Sequence, residues 1–295
     1  MQIVRLNPEL DDRERRAALF NGEFLLYSCT QMTAALVSHA KMFIKETFSN
    51  TDPQKAQYDM SVEQFIVKAA QLKTKFTNAL ETKEIIRDVL VEYGGDLERT
   101  FFDVPRLRVV TSDGFLTAGV GYAYKAHRDI WYSSPTAQLN WWLPVYDLTS
   151  GQTMSMYPEY WAQSIRNSSN QFDYDEWRNV GRRMATVQGL VDARKHPVPL
   201  EEVRGTSETR FVLRAGESLV FSAAHLHATS PNISGQTRFS IDFRTVHLDD
   251  LVSNQGSPNI DSRATGTTLG DFLRASDFMP LSEEIIKKTA RGINK

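Results

Sequence analysis

The sequence predicts an α+β protein: a helical N-terminal region laid against one face of a β-rich core. Three observations predict it. Apolar residues recur at helical spacing through residues 1–100. After Phe101 the chain breaks into short β-prone runs separated by Gly, Pro, Asp and Asn. At least six such runs with turn signals between them indicate a sandwich or barrel. A single insertion, residues 157–189, and a tail, residues 249–295, complete a one-domain plan over 1–295. Helices and sheet then share a core as one unit.

The elements follow in order. Gln31 to Phe48 is free of Pro and Gly and carries Leu36, Met42, Phe43 and Ile44. From Ser61, the residues Val62, Phe65, Ile66, Ala69, Leu72 and Phe76 recur every three or four positions, which is one buried helix face. Ser61 and Gln64 have the form of a capping box. A further helix follows Thr82, with Ile85, Ile86, Val89, Leu90 and Tyr93 on one side and Gly94-Gly95 as its stop. The expected strands are Arg106–Thr111, Thr117–Tyr124, Ala137–Tyr146, Arg210–Leu213, Ser218–Ala223 and Phe239–Val246. The β-core spans 101–248. The insertion is rich in Trp, Tyr, Arg and Asn, and its second half reads as helical. The tail reads as loop, with a short helix starting near Leu281 and capped by Ser282.

Composition narrows the class. Of 295 residues, 34 are Lys or Arg and 36 are Asp or Glu, a net charge of −2 without a basic cluster. That gives no electrostatic case for nucleic acid. No apolar run reaches the ~18 residues of a membrane helix, and the N-terminus turns charged at once, unlike a signal peptide. Cys29 is the single cysteine, which excludes an internal disulfide and fits a reducing compartment; it reads as a small buried apolar residue. A cytoplasmic protein that meets neither membrane nor nucleic acid is expected.

The chemistry concentrates in the histidines. His127-Arg128-Asp129 follows the expected strand Thr117–Tyr124. Positions i and i+2 of a strand share a face, so an imidazole and a carboxylate project together. With one further histidine they make a 2-His-1-carboxylate set, which suits Fe(II) because adjacent coordination positions stay open. The second histidine is His225 or His227, in the stretch Phe221 to Asn232. Both lie on one side of an extended strand. Arg238 follows His227 by eleven residues, with Ser240 two further on. A guanidinium beside a hydroxyl is a grip for a carboxylate. His39, His196 and His247 read as residues without a ligand role.

This set of HxD, His and RxS resembles the Fe(II)/2-oxoglutarate-dependent dioxygenases, whose core is a double-stranded β-helix, the jelly-roll or cupin-like fold. His227-Ala-Thr-Ser-Pro-Asn232 is similar to the second-histidine segment of the phytanoyl-CoA and ectoine hydroxylase branch, and Asn140-Trp141-Trp142-Leu143-Pro144-Val145 to its tryptophan-containing strand. The resemblance covers about residues 101–248. It implies that His127, Asp129 and His227 bind iron, and that Arg238 holds the distal carboxylate of 2-oxoglutarate, with Thr229 and Ser240 as hydroxyl helpers. The spacing to Arg238 and the Pro-Asn pair favour His227 over His225. Gln138, Asn140 and Trp142 share one face of the next strand and are candidate contacts to cosubstrate or substrate. Trp131 and Tyr132 are expected on the substrate side. Arg244 has the same strand parity as Arg238 and is a candidate for substrate or for the other cosubstrate carboxylate.

The resemblance implies an Fe(II)- and 2-oxoglutarate-dependent oxygenase that hydroxylates an unactivated C–H, with 2-oxoglutarate and O2 converted to succinate and CO2; the Arg, Asn, Tyr and Trp of the insertion point to a polar small molecule as its substrate. Related halogenases have a small residue in place of the carboxylate; Asp129 is present here. The Gly-Ser-His segment usual after the tryptophan strand is replaced by Met156-Tyr157-Pro158-Glu159-Tyr160-Trp161, so no substrate is carried over. Two other readings compete. One is a cupin-like three-histidine metalloenzyme using His127, His225 and His227, without 2-oxoglutarate. The other is a non-catalytic β-sandwich binding module.

Overall fold

The computed structural model describes residues 3–116, 125–181, 195–203 and 208–292. In chain order they form β1 (Val4–Leu6), α1 (Asp12–Phe20), β2 (Phe24–Tyr27), α2 (Gln31–Thr47), α3 (Val62–Asn78), α4 (Leu80–Glu92), β3 (Thr100–Asp103) and β4 (Arg106–Val110). There follow β5 (Leu139–Pro144), β6 (Met154–Met156), a single helical turn α5 (Tyr174–Glu176), β7 (Thr209–Arg210), β8 (Ser218–Ser222) and β9 (His227–Thr229). The chain closes with β10 (Arg238–His247), α6 (Leu248–Ser253), β11 (Phe272–Arg274) and α7 (Glu283–Gly292).

The architecture is mixed, with a sheet core and helices against it. The larger sheet has the order β1-β2-β8-β5-β10-β3-β11. β10 is its spine: β5 pairs along one edge, while β4 and β3 pair in tandem along the other. A smaller sheet has the order β7-β6-β9. His127 adds to its free edge through an antiparallel bridge to His227, with N–H···O bonds of 2.9 Å in both directions.

Strand alternation decides what each face does. On β10, Phe239, Ile241 and Phe243 point to the helical side, as do Leu139, Trp141 and Leu143 of β5 and Leu107 and Val109 of β4. They form one core with Leu36, Ala40 and Ile44 of α2, Phe65, Ala69, Leu72 and Phe76 of α3, and Ile86, Val89 and Leu90 of α4. The polar partners of that alternation, Arg238, Asp242 and Arg244 of β10, Asn140 of β5, and Arg106 and Arg108 of β4, line a cavity. The helical layer thus forms as the spacing predicts. Ser61 and Gln64 cap α3 reciprocally, and Gly94, at φ 72°, ends α4 as Gly95 donates to the Leu90 carbonyl at 2.8 Å.

The sequence reading departs from the structure in places. Residues 1–100 are not wholly helical: β1 and β2 pair in parallel, and β2 joins β8. Phe24-Leu25-Leu26-Tyr27 is a four-residue apolar run, too short to show any period. The tail is likewise more ordered than loop, since α6 follows β10 directly and β11 pairs with β3. Cys29 is exposed rather than buried. Thr117–Tyr124 and residues 182–189 of the insertion lie outside the described residues. Among the described residues no helix is long and apolar enough to cross a membrane.

Candidate metal centre

His127, Asp129 and His227 come together. All three are buried, and one ligand atom from each lies within 4.8 Å of the other two. Asp129 Oδ1 stands 3.4 Å from His127 Nε2 and 3.8 Å from His227 Nε2. The local route differs from a plain strand pair. His127 is held by its bridge to β9, and Asp129 begins a 3₁₀ turn, Asp129–Tyr132. Side chains three apart in such a turn eclipse one another, so Asp129 and Tyr132 both reach the cavity. Trp131 therefore points elsewhere. It is fully buried among Ile130, Tyr160, Ile165 and Leu226, with Nε1 donating to Asp261 Oδ1 at 2.7 Å. Its expected place on the substrate side is corrected: it does not line the cavity.

Backbone carbonyls set both imidazole tautomers. His127 Nδ1 lies 2.7 Å from the Lys125 carbonyl and His227 Nδ1 lies 3.0 Å from the His225 carbonyl. A carbonyl accepts only, so each Nδ1 carries the proton and each Nε2 keeps its lone pair toward Asp129. Burial pushes His227 down to about 4, so its imidazole is neutral at physiological pH. Burial alone would push the Asp129 carboxyl up. The His127 and His227 side chains that face it outweigh burial and hold it down to about 2. Two imidazole Nε2 atoms and a carboxylate are the donor set a divalent ion of the first transition row takes.

His225 is not part of this set. Its Nε2 meets the Gly22 carbonyl at 3.1 Å, its Nδ1 faces the Ser222 backbone, and its ring lies between Phe24 and Trp161. The three-histidine alternative therefore lacks its third ligand.

The cavity has a volume of about 370 Å³ and touches both sheets. Of the expected contacts, Thr229, Arg238, Gln138, Asn140, Trp142, Tyr132 and Arg244 line it. Ser240 does not; it is fully buried, and its Oγ has no hydrogen-bond partner. Arg238 is 4% exposed, its guanidinium 5.8 Å over the Trp142 ring. Its Nη1 donates to the Gln152 carbonyl at 2.9 Å while Nε is buried without a partner. Burial, with Arg108 nearby, brings it down to about 10, so it remains a cation at neutral pH. Asn140 Nδ2 and Thr268 Oγ1 are also buried without partners. Orphaned buried donors at a cavity wall are costly unless a ligand meets them.

Sequence reasoning missed the rest of the wall. Arg108 binds Asp242 through Nε and Nη2 at 2.5 and 3.0 Å, and Asp103 binds both Arg106 and Arg244. Strand parity with Arg238 and Arg244 was the available signal for Asp242. Phe172, Tyr174 and Trp177 come from the insertion, and Thr268 and Asp271 from the tail. No local pattern marks those.

No protein-family model matches this chain, and no curated protein matches it. Solved structures with a similar chain path include the apo form of ThoJ, a non-heme monooxygenase, at 12% identity over 75% of this chain and 71% of that one, TM-score 0.42. EvdO2 from Micromonospora carbonacea var. aurantiaca, complexed with 2-oxoglutarate, matches at 13% over 81% and 92%, TM-score 0.46. SnoN, a non-heme alpha ketoglutarate dependent epimerase from nogalamycin biosynthesis, matches at 13% over 92% and 96%, TM-score 0.40. Similarity this remote leaves the assignment to the chain's own residues.

Proposed function

We propose that this chain is an Fe(II)- and 2-oxoglutarate-dependent oxygenase built on a double-stranded β-helix, and that it hydroxylates an unactivated C–H of a polar small molecule. The observation that carries the reading is the meeting of two Nε2 lone pairs and Asp129 Oδ1 at one wall of a cavity that also holds Arg238. The donor set fits the metal, and the unpartnered Nε of Arg238 fits a carboxylate. The motif strings around His227 and Trp142 support the phytanoyl-CoA and ectoine hydroxylase branch.

His127, Asp129 and His227 would hold the iron. When bound, iron with 2-oxoglutarate and O2 supplies the oxidising power for C–H hydroxylation, with succinate and CO2 as by-products. The protein supplies the surroundings. The Lys125 and His225 carbonyls keep the imidazoles in the ligating tautomer. Arg238 holds the distal carboxylate of the cosubstrate, fixed by the Gln152 carbonyl and flanked by Trp142, with Thr229 as a neighbouring hydroxyl. Tyr132, Phe172 and Trp177 present apolar surface that limits water at the reacting carbon. The arginines of β4 and Arg244 are already paired with aspartates. Three arginines share two aspartates, Asp103 and Asp242, and this hydrogen-bonding wall suits a polar substrate.

The test is turnover of 2-oxoglutarate. Anaerobically reconstituted protein exposed to O2 should release succinate, and Arg238→Ala should release far less at the same cosubstrate concentration. Folded, iron-loaded protein that forms no succinate contradicts the proposal, and folded protein that binds no iron leaves the non-catalytic binding module as the reading.

A further inference from the structure

Gln138 entered as a candidate ligand contact, but the way its donors are used points to a different role. An amide has two N–H donors on one nitrogen. One Gln138 Nε2 donor goes to Asp129 Oδ2 at 3.2 Å and the other to Asn140 Oδ1 at 2.9 Å. The residue is 1% exposed although it lines the cavity. Both donors are spent inside the protein, and what remains is a carbonyl oxygen, which cannot grip a carboxylate. The two oxygens of Asp129 are thereby divided. Oδ1 faces His127 and His227, and Oδ2 faces Gln138 and, at 3.8 Å, Arg244 Nε. Arg244 is itself pinned by Asp103, through its backbone N–H at 2.8 Å and its Nη1 at 3.1 Å.

We propose that Gln138 is the positioning residue of the metal carboxylate: by holding Oδ2 of Asp129 it presents Oδ1 to the ion, and it makes no direct contact with the cosubstrate. The inference rests on the proposed metal site and adds to it. Partners that orient a ligating carboxylate typically change metal affinity by about 10- to 100-fold when removed. A cosubstrate contact would behave differently, leaving the metal affinity of the ligand-free protein alone.

The experiment is a Mn(II) titration of the metal-free full chain, with unbound Mn(II) read by electron paramagnetic resonance, followed by titration of 2-oxoglutarate into protein saturated with Mn(II). Gln138→Leu should weaken Mn(II) by about 10-fold or more and leave the 2-oxoglutarate affinity of the saturated protein at the wild-type value. Ser61→Ala, which removes the remote cap of α3, serves as a destabilised control and should keep wild-type Mn(II) affinity. Should Gln138→Leu fail to fold, Gln138→Asn keeps the amide on a shorter stem and should also bind Mn(II) more weakly. Wild-type Mn(II) affinity in the folded Gln138 variant, or a loss confined to 2-oxoglutarate, overturns the inference. Wild-type protein that binds no Mn(II) brings down the metal site itself, and this role with it.

Discussion

Arg238 and the two late histidines carry distinct predictions at the scale of single residues. Arg238→Ala removes a buried, charge-assisted grip worth about 1.5–3 kcal/mol, so 2-oxoglutarate should bind iron-loaded protein about 10- to 100-fold more weakly. Calorimetric titration under anaerobic conditions measures it, and metal affinity should hold. His227→Ala should abolish tight metal binding, whereas His225→Phe should retain it, because the His225 ring is enclosed by Phe24 and Trp161 and both of its nitrogens face backbone atoms. Equal metal loss in the two variants contradicts the assignment. The candidate metal-ligand residues were legible in the sequence because HxD and a later His eleven residues before an arginine are short strings with fixed spacing. Trp131 was misread for a physical reason: a 3₁₀ turn at Asp129 replaces the two-residue alternation of a strand.

At the scale of elements, Arg128 ties three stretches of chain together. It is fully buried between the two metal-ligand residues and donates to Asp261 Oδ2 at 3.1 Å, to the Ala224 carbonyl, and to the Tyr160 and Gln163 carbonyls at 2.6 and 3.0 Å. Asp261 in turn accepts from Trp131 Nε1 and from the Ile165 backbone N–H at 3.1 Å. The tail and the insertion are thus fastened to the segment that carries His127 and Asp129. Asp261→Ala leaves a buried guanidinium without its counter-charge, a loss of about 3–5 kcal/mol. Chemical denaturation should record it, and a change under about 1 kcal/mol contradicts the role. Nothing in the sequence links Asp261 to Arg128 across 133 positions. The helices, by contrast, were legible because the apolar period of α3 and its Ser61 cap are local signals. Strands of two to four residues, such as β6, β7, β9 and β11, exist through their pairing rather than their composition.

At the scale of the whole molecule, the buried histidines couple stability to pH. Burial lowers His225 to about 3 and His227 to about 4, against about 6.5 in the unfolded chain. Above pH 6.5 both states are neutral and the full stability is present. As pH falls below 6.5 the unfolded chain takes up protons that the folded chain refuses, and each group removes about 1.4 kcal/mol per pH unit. Metal-free protein should lose thermal stability steadily from pH 6.5 toward pH 4, and His225→Phe should show a shallower fall. A melting temperature constant over that window contradicts the burial of neutral imidazoles. The division of labour between sheet faces was legible from alternation in β5 and β10, which sends aromatic and aliphatic residues to the helices and arginine, aspartate and asparagine to the cavity. The aromatic wall from the insertion was not, since only tertiary folding brings Phe172 and Trp177 over Tyr132.

The central claim is that iron joins His127, Asp129 and His227 with 2-oxoglutarate held beside it by Arg238. Anaerobic mixing of the protein with Fe(II) and 2-oxoglutarate, followed by visible absorption, tests it most directly. The account predicts a weak visible charge-transfer band that needs both additions, vanishes in His227→Ala, survives in His225→Phe, and in Arg238→Ala requires far more 2-oxoglutarate. Folded wild-type protein without that band, or an undiminished band in His227→Ala, would contradict it.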